Sequence, residues 1–458
     1  MKKSLAFEII NYLAFILAIS FGIYTANGQA LFGANPEQTL GLIESLVAFG
    51  VCLVGFVPLL VINLLKKQYK PNWVLIGVIG LLIITLTIGL ITFPDHGLYL
   101  YKGIKNNSCA FEYYISVSMR GAFIVQAIAF CLTSFILIDF PFQIFKMKPF
   151  LTILSILVIV AVLTFQIISF ATEGMKYIEF FSASFLKGKE NFAIKSAFVN
   201  SNIFAFILTI GIVAIIYMHY VYKKWFILLA IIPVYANIIF TICRSLIILD
   251  FVLIIVYLAI AIAKRFKHVK RIKTICFIGA SLTLFLIAGV IRLLLTAYST
   301  HTDLISFLID DGSYRFLSTR IYMWKISGDC INFGNWGLGV GYNLFGEILF
   351  RMNATDLESP YVTVRGSHNF ALEYIGNGGI IMFLIALALL IMITYLAIKS
   401  LKKNISLMGL CLTLIVIFTV YSFIESGSFI LPKSYEFVAI NLFIVSPILM
   451  TYKNKKFS

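Results

Sequence analysis

Runs of about 20 apolar residues recur along this chain, and that is the length a helix needs to cross a hydrocarbon core roughly 30 Å thick. Read in order, they give about twelve transmembrane helices: residues 8–25, 40–65, 72–93, 116–140, 150–171, 198–221, 225–242, 246–263, 274–297, 369–398, 405–424 and 436–452. Composition points the same way. Of 458 residues, 61% are hydrophobic and 12% charged, about half the roughly 25% charge that a soluble protein carries. A soluble globular protein is excluded. The expected fold is an all-α integral membrane protein in three parts. Residues 1–298 hold nine helices and the outer loops 94–115 and 172–197. Residues 299–368 form a large extracytoplasmic loop between the ninth and tenth helices, and residues 369–458 hold the last three.

A net charge of +16 would suggest a nucleic-acid partner in a soluble protein, so the positions of the charges decide its meaning. Of 36 Lys and Arg residues, 21 fall in alternate short segments: Lys2/Lys3, Lys66/Lys67/Lys70, Lys146/Lys148, Lys223/Lys224, Lys264 to Lys273, Lys399/Lys402/Lys403 and Lys453/Lys455/Lys456. Of the 20 acids, only Glu8 and Asp139 lie beside those segments. The positive-inside rule makes that side cytoplasmic and puts both termini there, in a multi-pass protein of the cytoplasmic (inner) membrane. The basic excess is then a topology signal, and no nucleic-acid partner is expected. The first run follows Met1-Lys2-Lys3 without a small-residue cleavage pattern and reads as a retained helix. Every cytoplasmic loop is too short for a nucleotide-binding domain, which excludes an ATP-driven engine within these loops.

Metal chemistry has little to build on. The chain has no Cys-x-x-Cys, and its five histidines (His96, His219, His268, His301, His368) show no His-x-x-x-His spacing. Asp310-Asp311 is a single short acidic pair where a divalent site needs several converging oxygens. No metal and no cofactor are expected. Most of the seven cysteines lie in apolar runs and read as small hydrophobes. Cys109 and Cys330 fall in outer loops, and whether they pair is open in the sequence.

A segment of this length between membrane helices is unusual enough to be read as functional, so the chemistry is expected in loop 299–368. Arg120, Arg244, Arg292 and Arg320 all fall near the outer face. An arginine at membrane depth costs at least about 2.5 kcal/mol, so each needs a partner or a purpose. Glu44, Glu112, Asp250 and Glu373 are candidate partners, which would make each arginine a structural ion pair. As a group, the guanidinium forks suit a lipid-linked diphosphate, because they bind phosphate bidentately and stay charged. The loop ends in Arg365-Gly366-Ser367-His368-Asn369, followed by an apolar helix. A histidine at a helix mouth can accept a proton near neutral pH and serve as a general base. It can equally be an interfacial residue bonded to a loop carbonyl; His96 and His301 compete for the same role. Gly339-Val340-Gly341 has no βαβ unit around it and reads as close backbone packing or a tight turn.

Three segments together resemble the signature of the O-antigen polymerase and ligase superfamily of polytopic membrane glycosyltransferases. They are Arg320-Ile321-Tyr322-Met323-Trp324, Gly337-Leu338-Gly339-Val340-Gly341-Tyr342-Asn343-Leu344-Phe345, and His368-Asn369-Phe370-Ala371-Leu372-Glu373 with Gly379. Asn200-Ser201-Asn202 and Cys243-Arg244-Ser245 add a less specific likeness, so that it covers about the second half of the chain. The resemblance implies metal-independent, inverting transfer of a polyprenyl-diphosphate-linked glycan to an acceptor sugar hydroxyl at the outer face. It implies catalytic roles for His368 and Arg320, diphosphate binding by Arg244, Arg292 and Arg120, and support from Asn369, Glu373 and Trp324. Membrane lipids, a flippase and a chain-length regulator are the implied partners. Ligase members commonly carry a further glycine where this chain has Met382, which orders the readings: polymerase of O-antigen or capsule first, then ligase to a lipid A core or protein. An exporter of lipid-linked oligosaccharide is the alternative from another class; it would place its site near the membrane midplane.

Overall fold

The computed structural model describes residues 2–28, 40–102, 108–179, 193–198, 200–241, 243–265, 315–355, 366–423 and 427–453. Among the described residues nine helices are long and apolar enough to cross a membrane, and the chain is a multi-pass, all-α membrane protein. The expected helices at 225–242 and 246–263 are shorter apolar segments, Trp225–Phe240 and Ser245–Ala261. The one expected at 274–297 lies outside the described residues.

The chain divides into two compact units: Met1–Ile144, Gly289–Ile393 and Phe418–Asn441 in the first, and Phe145–Ala288, Thr394–Ile417 and Leu442–Ser458 in the second. Unit 1 contains α1 (Lys2–Asn27), α2 (Leu42–Leu65), α3 (Trp73–Thr92) and α4 (Val117–Asp139). The α4 span is 72% buried and that of α2 only 28%, so α4 is the centre of this bundle. Ile43, Val54 and Val57 of α2 remain exposed, as expected of side chains that meet lipid. Close approach of α1 and α2 depends on Gly55, where a Cβ would stand 2.7 Å from the Ala14 carbonyl oxygen. In the last turn of α2, Asn63 Nδ2 donates to Asn11 Oδ1 at 2.9 Å and ties the two helices together.

Segment 94–115, expected as a loop, holds an antiparallel hairpin of β1 (His96–Lys102) and β2 (Ser108–Tyr114). The cause is local. Cys109, Phe111 and Tyr113 alternate with Ala110, Glu112 and Tyr114, and the burial of β2 follows with period two. In the large loop lie α9 (Arg315–Phe333) and α10 (Leu344–Thr355), and the hairpin's inner face packs on both. Tyr99 Oη donates to the Asp329 carbonyl at 2.6 Å, the Tyr99 ring stands 4.4 Å from that of Phe333, and Tyr101 Oη donates to the Met352 carbonyl. Cys109 and Cys330 are both buried.

Unit 2 contains α5 (Met147–Glu179), α6 (Ser201–Tyr222), α7 (Ile231–Phe240) and α8 (Arg244–Arg265). The α5 helix leaves helical geometry at Glu173, whose carboxylate accepts from Lys195 N at 2.9 Å and Ser196 N at 2.8 Å. His219 Nδ1 lies 2.6 Å from Tyr257 Oη between α6 and α8. The last helices, α11 (Phe370–Ser400), α12 (Ile405–Ser422) and α13 (Tyr435–Tyr452), have residues in each unit.

Candidate functional site

The site grows from the N-terminus of α11. Asn369 caps it: its Oδ1 accepts from Ala371 N at 3.0 Å and Leu372 N at 3.3 Å, two of the amides a helix start leaves without partners. The residue before the cap, His368, is held at φ +51°, a left-handed conformation uncommon for any residue with a Cβ. Such a conformation costs on the order of 1–3 kcal/mol and persists where the surroundings over-determine it. The surroundings here are explicit. Glu373, one turn into α11 and 5% exposed, accepts on Oε2 from Ser367 N at 3.2 Å and Ser367 Oγ at 3.3 Å. From the other side, Trp324 Nε1 of α9 donates to the His368 carbonyl at 3.3 Å. Arg320 lies one turn before Trp324 on α9, so the arginine helix and the histidine turn meet within unit 1.

Behind the turn runs a polar chain through the interior of unit 1. Asn377 Nδ2 donates to Glu373 Oε1 at 3.1 Å, and Asn377 Oδ1 accepts from Asn343 N at 2.8 Å. Asn343 Nδ2 donates to Gln126 Oε1 at 2.8 Å, and Gln126 Nε2 donates to Ser45 Oγ at 3.1 Å. Lys433 closes the near end, with Nζ 3.7 Å from Glu373 Oε1 and 4.9 Å above the Tyr342 ring. Burial pulls the Lys433 ammonium below the usual lysine range, and the neighbouring Glu373 carboxylate offsets only part of that.

The glycine segments explain how the chain is brought to this place. The α11 helix breaks at Gly378 and Gly379, and the strand of loop after α9 fills the break. The Gly376 carbonyl, which would bond Ile380 N in an unbroken helix, accepts from Val340 N at 2.7 Å instead. Ile380 N in turn donates to the Trp336 carbonyl at 2.8 Å. Only glycine fits here: a Cβ on Gly339 would stand 2.6 Å from Gly379 N. The Gly339-Val340-Gly341 stretch is thus close backbone packing, locking the segment after α9 into the helix that begins at His368.

Arg120 donates to the carbonyls of Leu90 and Phe93, the latter at 2.9 Å, and pairs with Asp95. Its fork caps the C-terminal end of α3, and its partner is none of the four acids expected. Arg244 opens α8 in unit 2, and Arg292 lies outside the described residues, as do His301 and Asp310-Asp311. His96 is exposed on the hairpin. Of the candidate acids, Glu44 accepts from Gly41 N at 3.1 Å at the start of α2, and Asp250 meets Thr209. Among the described residues no group of three or more His, Cys, Asp or Glu could hold a metal.

Lys433, Asn377, Asn343 and Gln126 were not singled out in the sequence. Lys433 carried a signal, as a lysine on the acid-rich side at the mouth of the last helix. Asn343 stands within the glycine segment that carries the resemblance but without a role of its own there, and Asn377 and Gln126 carried no signal. No protein-family model and no curated protein matches the chain. The functional reading therefore rests on these residues.

Proposed function

We propose that the chain is a membrane glycosyltransferase that polymerises a surface polysaccharide, O-antigen or capsule, from polyprenyl-diphosphate-linked repeat units at the outer face of the membrane. The observation that carries the reading is the hydrogen bond from Trp324 to the His368 carbonyl. It joins the Arg320 helix to the His368 turn at a helix mouth, which supports reading the histidine as the general base and the arginine as its companion cation.

In this reading His368 takes the proton from an acceptor sugar hydroxyl as its oxygen attacks the anomeric carbon. The bond from that carbon to the diphosphate breaks, and the diphosphate leaves with the electron pair. Arg320 neutralises the leaving charge, a task in which preorganised electrostatics commonly supplies the largest share of catalysis. General-base assistance adds about 10² to 10⁴ in rate. Glu373 and Asn369 hold the turn, and Lys433 stands beside Glu373 as a second cation within unit 1. Attack opposite the leaving group inverts the anomeric configuration. A flippase that supplies the donor and a chain-length regulator would be its partners.

The test is a gel ladder of surface glycan from cells lacking the native gene, complemented with wild type, His368→Ala or Arg320→Ala at equal membrane levels. Wild type is expected to restore a ladder of many repeats, and the variants to leave single repeats on the outer face. Lipid-linked polymer that forms without the protein but fails to reach its acceptor would replace polymerase by ligase. Single repeats trapped on the inner face would replace the enzyme by an exporter.

A further inference from the structure

Asp250 lies in α8 within unit 2, and it is 0% exposed. Its Oδ2 stands 2.6 Å from Thr209 Oγ1 of α6, while its Oδ1 is buried and makes no hydrogen bond. Thr209 Oγ1 also stands 3.1 Å from the Ala205 carbonyl oxygen, one turn earlier on its own helix.

These contacts fix where a proton must be. A threonine hydroxyl has one hydrogen, and a carbonyl oxygen has none to offer. If Thr209 gives its hydrogen to Asp250, the Ala205 contact is left as two oxygens without a proton between them. If Thr209 gives it to Ala205, the 2.6 Å contact needs a hydrogen from the carboxyl group. Both contacts are satisfied only when Asp250 donates to Thr209 and Thr209 donates to Ala205. The electrostatics agree. An ionised carboxylate offers about four acceptor sites, and here a single hydroxyl would face them, with Oδ1 bare. No Lys, Arg or His makes an ion pair with Asp250 among the described residues. Tyr235 of α7, a titratable neighbour, spends its hydroxyl on the Ile247 carbonyl at 3.0 Å.

We infer that Asp250 and Thr209 form a proton-binding site inside unit 2, a neutral carboxylic acid that latches α8 to α6. Loss of the proton puts a charge beside a bare Oδ1 and forces Thr209 to abandon Ala205. The latch holds while the proton is bound and weakens as pH rises. This inference does not depend on the glycosyltransferase reading.

The test is infrared spectroscopy of the full-length protein in lipid nanodiscs. The wild-type spectrum at neutral pH is expected to contain one protonated-carboxyl carbonyl band that Asp250→Asn lacks. Thr209→Val, which removes the acceptor, is expected to move that band to the higher frequency of a free acid, and it reads the site even if the asparagine variant folds poorly. Heating curves should show wild type losing stability relative to Asp250→Asn as pH is raised. A wild-type spectrum that differs from Asp250→Asn in carboxylate bands instead, or a band unmoved by Thr209→Val, would overturn the inference.

Discussion

Alanine at position 379 tests the interlocked glycines directly. Gly379 has φ +67° and ψ −173°, a region that residues with a Cβ hardly enter, and imposing it on alanine costs on the order of 1–3 kcal/mol. The added Cβ would also lie 2.6 Å from Leu338 N and closer still to the Gly337 carbonyl. To reach an ordinary contact of 3.4 Å, Leu338 N must retreat by about 0.8 Å and the carbonyl further, and both are backbone, with no rotamer to yield. Overpacking of that kind adds about 1–3 kcal/mol, for a total of about 2–6 kcal/mol. The retreat pulls directly on the bonds that fill the helix break, Val340 N to the Gly376 carbonyl and Ile380 N to the Trp336 carbonyl. The control is Gly77→Ala in α3, where a Cβ meets nothing within 4 Å and a helix-interior alanine gains about 0.5–1 kcal/mol. Unfolding of both purified variants in mixed micelles with increasing dodecyl sulfate should separate them by several kcal/mol. Equal stability of Gly379→Ala and Gly77→Ala would refute the claim that the loop after α9 is seated in the break.

Two other perturbations follow from the same unit. Lys433→Gln leaves the buried Glu373 carboxylate without its cation and should cost about 1–3 kcal/mol in thermal unfolding; the double variant Glu373→Gln/Lys433→Gln should recover part of that loss, and strict additivity of the two single changes would show that they do not interact. Burial, with smaller contributions from Asp329 and Cys330, pushes the Tyr99 hydroxyl from its ordinary 10 to about 12. The folded state therefore keeps a proton that the unfolded chain gives up. The stability this contributes is complete below pH 10 and is lost as pH climbs toward 12, by at most about 3 kcal/mol. Alkaline unfolding should be steeper for wild type than for Tyr99→Phe; parallel curves would contradict the assignment.

What was legible in the sequence follows from the range over which each feature is determined. A membrane helix is announced by its own 20 or so residues, so the long apolar runs and the helical character of the chain could be read directly. The cap at Asn369, the acid at Glu373 and the histidine between Ser367 and Asn369 sit within seven residues and were likewise readable. The hairpin at 96–114 carried its own period-two pattern, but the pattern is short, and a search for apolar runs treats whatever lies between them as loop. The rest of the site is assembled by topology. Arg120 resembles the other arginines in sequence, yet the end of α3 lies beside it and its donors go to carbonyls 27 and 30 residues earlier. Gln126 meets Asn343 across 217 residues, and no local pattern announces that pairing. The glycines fall between these cases. Gly376, Gly378 and Gly379 stand out as glycines inside an apolar helix, but only the fold shows that Gly379 faces the backbone of residues 337–338, in the segment that follows α9 directly. The order Arg320, Trp324, glycine segment, His368 along the chain therefore has a physical meaning. The glycines seat the segment after α9 in α11, this holds Trp324 within reach of the His368 carbonyl, and Arg320 arrives with it on the same helix. A sequence that kept the arginine and the histidine but lost the glycines would keep both residues and lose the contact between α9 and the turn before α11.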